Sequence, residues 1–143
     1  MARSQFDQNI LISTENSKLD FEVLNNFLLA AYWSKDRTEE QILTAVENSI
    51  CFGVYLNNEQ IGFARVLSDK ISLAFLFDVF IIEKQRGKGY GKMLIDYVIN
   101  YPEFKNVKKW MLATLDAQKL YEKSGFGSLK DPEKLMEMFP SEK

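Results

Sequence analysis

Eight residues invite a chemical reading first: Gln85-Arg86-Gly87-Lys88-Gly89-Tyr90-Gly91-Lys92, set between an apolar run and a helix-periodic segment. Glycines let a backbone approach an anion closely, and the first N–H groups of a helix lack intrahelical partners, so such a turn can hold phosphate oxygens. Arg86, Lys88 and Lys92 add positive charge there. Two familiar phosphate loops fit poorly. A Walker A loop needs Gly, four residues and then Gly-Lys-Ser/Thr, but Arg86 stands five before Gly91 and Met93 follows Lys92. A dinucleotide fingerprint needs Gly-x-Gly-x-x-Gly, whereas these glycines fall at 87, 89 and 91. A nucleotide-binding protein using the same turn stays open as a reading.

Proton chemistry is constrained by what is missing. The 143 residues contain no histidine and one cysteine, Cys51. His-based triads and His metal ligands are therefore excluded, one thiol builds neither a disulfide nor a zinc site, and no metal is expected. Cys51 begins a predicted strand with nothing to activate it, which favours packing over nucleophilic catalysis. Asp78 interrupts the apolar run Leu73 to Ile82, where a charge is costly without a partner. Burial would raise its pKa and suit a general base; a structural pairing with Arg65 or Arg37 explains the same residue equally well.

The elements that must position these groups follow from periodicity. Ile10 to Ile12 predicts a first strand. Ser17 and Asp20 resemble a capping box before Phe21, Leu24, Phe27, Leu28 and Ala31, and Thr38 with Gln41 does the same before Ile42, Ala45, Val46 and Ser49. These are two amphipathic helices joined by the loop Tyr32 to Arg37. Phe52, Val54 and Leu56 alternate, Asn57-Asn58-Glu59 turns, and Ile61 to Leu67 returns as the second arm of a hairpin. Ile71 to Ile82 is nearly continuously apolar, as expected of the centre of a sheet. A helix from Tyr90 to Tyr101 ends before Pro102, a strand is expected over Val107 to Leu115, and a short helix from about Ala117, capped by Asp116, stops at Gly125. Leu135 to Phe139 predicts a last strand. The Met136, Met138 and Phe139 tail fits either that closing strand or a homodimer interface.

Composition narrows the class. One domain over 1–143 is expected, 46% hydrophobic and 27% charged, with net charge −2. That balance argues against a general nucleic-acid grip. The start MARSQFDQN has no apolar core, and no run reaches the ~18 residues of a membrane span, so a cytoplasmic protein is expected.

Arg86-x-x-Gly89-x-Gly91 resembles the Gln/Arg-x-x-Gly-x-Gly/Ala signature of the GNAT superfamily of N-acetyltransferases. Phe77 to Ile82 resembles the strand before that turn, and Ala117-Gln118-Lys119-Leu120-Tyr121-Glu122-Lys123-Ser124-Gly125-Phe126 resembles the family's second motif, Ala-x-x-Leu-Tyr-x-x-x-Gly-Phe. The resemblance spans about Ile10 to Phe139. It implies an α/β (α+β) fold, a mixed, mostly antiparallel sheet flanked by helices, with acetyl-CoA in the splay between the central strand and its neighbour. Backbone amides within Arg86, Gly87, Lys88, Gly89, Tyr90, Gly91 and Lys92 would hold the pyrophosphate, and the backbone of Val79, Phe80 and Ile81 would pair with the pantetheine arm. Asp116 falls where a polar residue often touches that arm. Tyr121 takes the family's general-acid position, and Trp33, Arg37 and Arg65 fall in its acceptor pocket. The resemblance thus implies acetyl transfer from acetyl-CoA directly to an amine of a small molecule or protein. A fold that only binds acyl-CoA is the competing reading. The pI of 5.3 slightly favours a cationic acceptor.

Overall fold

In the computed structural model, residues 9–31 and 36–140 are described. The order is β1 (Ile10–Ser13), α1 (Phe21–Leu28), α2 (Glu39–Glu47), β2 (Ile50–Leu56), β3 (Glu59–Ser68), β4 (Ala74–Ile81), α3 (Tyr90–Ile99), β5 (Trp110–Leu112) and α4 (Gln118–Glu122). The five strands form one sheet in chain order, β1-β2-β3-β4-β5. Every ladder is antiparallel except β4 with β5, which is parallel. This is the mixed, mostly antiparallel sheet flanked by helices that the sequence implied.

Local chemistry explains most boundaries. Thr38 and Gln41 form the expected capping box at the start of α2. At α1 the cap differs from expectation: Asp20 itself is the N-cap, accepting from the Glu22 and Val23 amides, while Ser17 lies in a 3-10 turn. Asn57 and Asn58 both take positive φ, 52° and 70°, which suits the tight turn between β2 and β3. Strand β4 starts at Ala74 rather than Ile71, because the Asp69 carboxylate accepts from the Ile71 and Ser72 amides and curls that segment into a turn.

Each face of the sheet carries its own core. On one face Phe52, Val54, Ala64, Val66 and Leu76 pack against Leu94 and Val98 of α3. On the other, Cys51, Phe63 and Phe80 pack against Leu24 and Leu28 of α1 and Ile42 and Val46 of α2.

Two expected strands are corrected. Leu135 to Phe139 is not a strand: Met136 is 98% and Met138 78% exposed. The segment lies between Pro132 and Pro140, which have no N–H to give a ladder. The strand expected over Val107 to Leu115 is confined to Trp110–Leu112, which pairs with Ala74 to Leu76 of β4. Leu94 is fully buried against the sheet, so Leu94→Ala should cost about 2–5 kcal/mol of unfolding free energy in urea titration.

Candidate active site

Simple alternation would place Ala74, Leu76, Asp78 and Phe80 on one face of β4. Instead Ala74 and Leu76 face α3, whereas Phe80 packs with α1 and α2 and Asp78 bonds Arg65, whose neighbours Ala64 and Val66 face α3. The ladder shows why. Phe63 pairs with Phe80 but Arg65 with Phe77, so β4 carries one extra residue at this point. Asp78 adopts φ +57° there, a left-handed conformation that Asp tolerates better than most side chains. The bulge transfers Asp78 to the α1/α2 side.

Once there, its carboxylate meets two guanidinium groups. Arg37 donates from both terminal nitrogens, to Oδ2 at 3.0 Å and Oδ1 at 2.9 Å, and Arg65 donates from Nε to Oδ2 at 2.9 Å. Arg65 also donates to Ser49 Oγ at 3.1 Å and lies 4.5 Å above the Phe77 ring. Burial by itself would raise the Asp78 carboxyl. The hydrogen bonds and charge of Arg37, with those of Arg65, outweigh it and hold the group below the ordinary carboxylate value. The raised pKa expected of a general base is therefore overturned, and pairing holds with both arginines rather than one. Arg37, implied for the acceptor pocket, turns its bidentate grip inward onto Asp78. Trp33 lies outside the described residues.

Beyond Leu76 the register with β5 ends, while β4 continues to Ile81. The edge of β4 from Phe77 onward is thus open on the β5 side, the place where an extended ligand can pair with a strand backbone. Phe80 and Ile81 are buried and Val79 is half-buried, so their side chains serve the core while their main chain follows this edge. β4 leads through a 3-10 turn into the glycine segment. Gly87 and Gly89 take φ +77° and +88°, values that strain any residue with a Cβ. Gly89 is the N-cap of α3, whose ladder begins with Met93 N–H to Gly89 C=O, so the first-turn amides precede it. Arg86, Lys88 and Lys92 donate to the Ile81 carbonyl, the Gln85 amide oxygen and Asp96, respectively. Tyr90 packs in the core.

Tyr121 sits on α4 against the α3-side core, edge-on to Phe126 with ring centres 5.9 Å apart. Burial pushes its phenol above the ordinary value of 10, so it stays protonated through the neutral range. α4 is moored to α3 by Ser124 Oγ donating to Asp96 Oδ1 at 2.7 Å. Asp116 does not cap α4: the N-cap is Ala117, with no side-chain hydrogen bond, and Asp116 is exposed. The Ala117 amide instead donates to Thr114 Oγ1. Cys51 is buried, and burial is the main cause that drives its thiol up to about 12, consistent with packing.

A family model described as the acetyltransferase (GNAT) family matches residues 19–126. The chain belongs to that family. A crystal structure of a candidate GNAT acetyltransferase from Xanthomonas campestris pv. campestris superposes with a TM-score of 0.87 at 37% identity, covering 91% of this chain and 92% of that one. An uncharacterized N-acetyltransferase of Prochlorococcus marinus is 30% identical over 76% of this chain and 63% of its own length. A GNAT acetyltransferase of Elizabethkingia anophelis, solved with acetyl-CoA bound, shares the fold with a TM-score of 0.67 at 24% identity, covering 85% of this chain and 78% of that one. Acetyl transfer is the activity of the GNAT family, and this chain is an acetyltransferase.

Ser49, Asp96 and Ser124 carry bonds to the site that the sequence motifs do not signal. Lys92 and Asp96 are four apart on one helix and were detectable as a pair. The Ser49–Arg65 and Asp96–Ser124 bonds join separate elements and leave no local signal.

Removing one partner from a buried ion pair typically costs about 3–5 kcal/mol, so the Asp78 cluster should register in stability. Its folded pKa is depressed, so that contribution is complete above the unfolded carboxylate value near 3.9 and is lost as pH falls through the lower folded value. Urea unfolding from roughly pH 5 down to pH 2 should show a steeper loss of stability for the wild type than for Asp78→Asn.

Proposed function

We propose that this GNAT acetyltransferase moves an acetyl group from acetyl-CoA directly to a primary amine of a small molecule or of a protein. The observation that carries the reading is the continuity of the open β4 edge with the glycine turn. A pantetheine arm hydrogen-bonded along Val79 to Ile81 would deliver its diphosphate to the amides around Gly87, Gly89 and Gly91, as a strand is added to a sheet edge. Arg86, Lys88 and Lys92 supply charge at that end, and exposed Asp116 lies near the start of α4 for the arm itself.

The reaction needs a neutral amine, a stabilised tetrahedral oxyanion and a proton for the leaving thiolate. The amine nitrogen forms a bond to the thioester carbonyl carbon, the C–S bond breaks, and the phenol of Tyr121 protonates the sulfur. Its burial suits it to that role, since the proton is retained until an acceptor of matching basicity develops. The proton shed by the amine passes to water, because Asp78, held ionised by two guanidinium groups, is a weak base. The first two helices would wall the acceptor, with Arg37 and Arg65 in that region.

Thermal shift should show stabilisation by acetyl-CoA in excess of that by ATP or NAD; stabilisation by either nucleotide alone overturns the reading. Release of free CoA thiol over polyamines, aminoglycosides and lysine peptides then identifies the acceptor class. Tyr121→Phe should leave acetyl-CoA binding nearly intact and lower turnover by roughly 10² to 10⁴-fold. Unchanged turnover removes Tyr121 from the mechanism.

A further inference from the structure

The carboxylate in the β4 bulge has a consequence for α2 that pairing alone does not convey. Arg37 directly precedes Thr38, the N-cap of α2, and binds both oxygens of Asp78. Ser49 follows the C-terminal end of α2, at Asn48, and accepts from Arg65, which in turn binds Asp78 Oδ2. The Ser49 hydroxyl donates back to the Ala45 carbonyl at 2.7 Å, so that bond belongs to the last turn of the helix. Both ends of one nine-residue helix therefore converge on a single side chain of another element.

The link is stiff as well as short. Asp78 is buried, its backbone is set by the bulge, and the Arg65 guanidinium is confined against Phe77. A planar guanidinium bound through two nitrogens to two carboxylate oxygens has little freedom to rotate. Between its ends, α2 touches the sheet through Ile42 and Val46, which give burial but not a unique axial position, because apolar contact is non-directional. The directional bonds lie at the termini, and they lead to the bulge that begins the open edge of β4.

We propose that Asp78 is a positioning residue for the acceptor: through Arg37 at one end and Arg65 with Ser49 at the other, it fixes α2 relative to the open edge of β4. This rests on reading that edge as the acetyl-CoA site, with α2 as one wall of the acceptor pocket. It predicts that acceptor recognition and acetyl-CoA recognition come apart when the cluster is broken, since the glycine turn and α3 lie outside these bonds.

The test uses Asp78→Gly, which keeps the positive φ without a carboxylate, and Arg37→Ala, which removes one arm from a partly exposed site while Arg65 still holds Asp78. Amide hydrogen exchange should accelerate at least about tenfold over residues 39–49 in both variants, with α3 unchanged. With spermidine and a lysine-containing peptide as acceptors, kcat/KM for the acceptor should fall about 10²-fold while the KM for acetyl-CoA moves less than about threefold. Ethylguanidinium should restore part of the Arg37→Ala loss, which a general folding defect would not allow. Unchanged exchange in α2, or losses shared equally by acetyl-CoA and acceptor, overturns the proposal. If Asp78→Gly fails to fold, Arg37→Ala decides by the same readouts. Should wild type be neither stabilised by acetyl-CoA nor active on any amine, the functional reading fails, and the exchange data alone decide whether Asp78 fixes α2.

Discussion

A buried carboxylate held by two guanidinium groups at a bulge in β4, the fourth strand of the sheet rather than its centre, is the constraint on which the rest of this acetyltransferase depends. An extra residue in β4 turns Asp78 toward α1 and α2, where Arg37 and Arg65 meet it. Left on the α3 side, the charge would sit in an apolar core without partners, at a desolvation cost that no neighbouring group offsets. On the side where it lies, the same charge orders three elements: the start of α2, strand β3 and β4 itself.

The bulge also shapes the other half of the site. Parallel pairing between β4 and β5 covers only Ala74 to Leu76, and the departure follows at once. A strand that lost its neighbour without a replacement would be an exposed edge, which folded proteins normally cover or charge. Here the edge leads through a 3-10 turn into a segment whose Gly87 and Gly89 hold positive φ and from which α3 begins. The extended edge and the glycine turn are joined end to end through the 3-10 turn Glu83–Gln85.

In a chain without histidine, Asp78 and Tyr121 are shifted in opposite directions by their environments. Asp78 is buried and Tyr121 half-buried, with opposite results. Arginine partners keep the carboxyl ionised, whereas desolvation unopposed by a cation keeps the phenol protonated. Asp96 plays a quieter part, joining Lys92 in its own helix to Ser124 just beyond α4, so that Tyr121 stands on an anchored turn.

The sequence alone determined the glycine turn, the capping box of α2, the β2–β3 hairpin and the family, because each rests on residues close in the chain whose backbone preferences act locally. It also marked Asp78 as anomalous and named both of its partners as candidates. What it could not determine was the phase of β4: a single-residue bulge reverses the side on which every later residue lies, and alternation carries no record of it. The short β5, the unpaired Leu135 to Phe139 tail and the lowered Asp78 pKa were likewise decided in three dimensions. Strand pairing and ionisation depend on which groups face one another across the fold, and the bonds from Asp78 to Arg65 and Arg37 span 13 and 41 positions of chain.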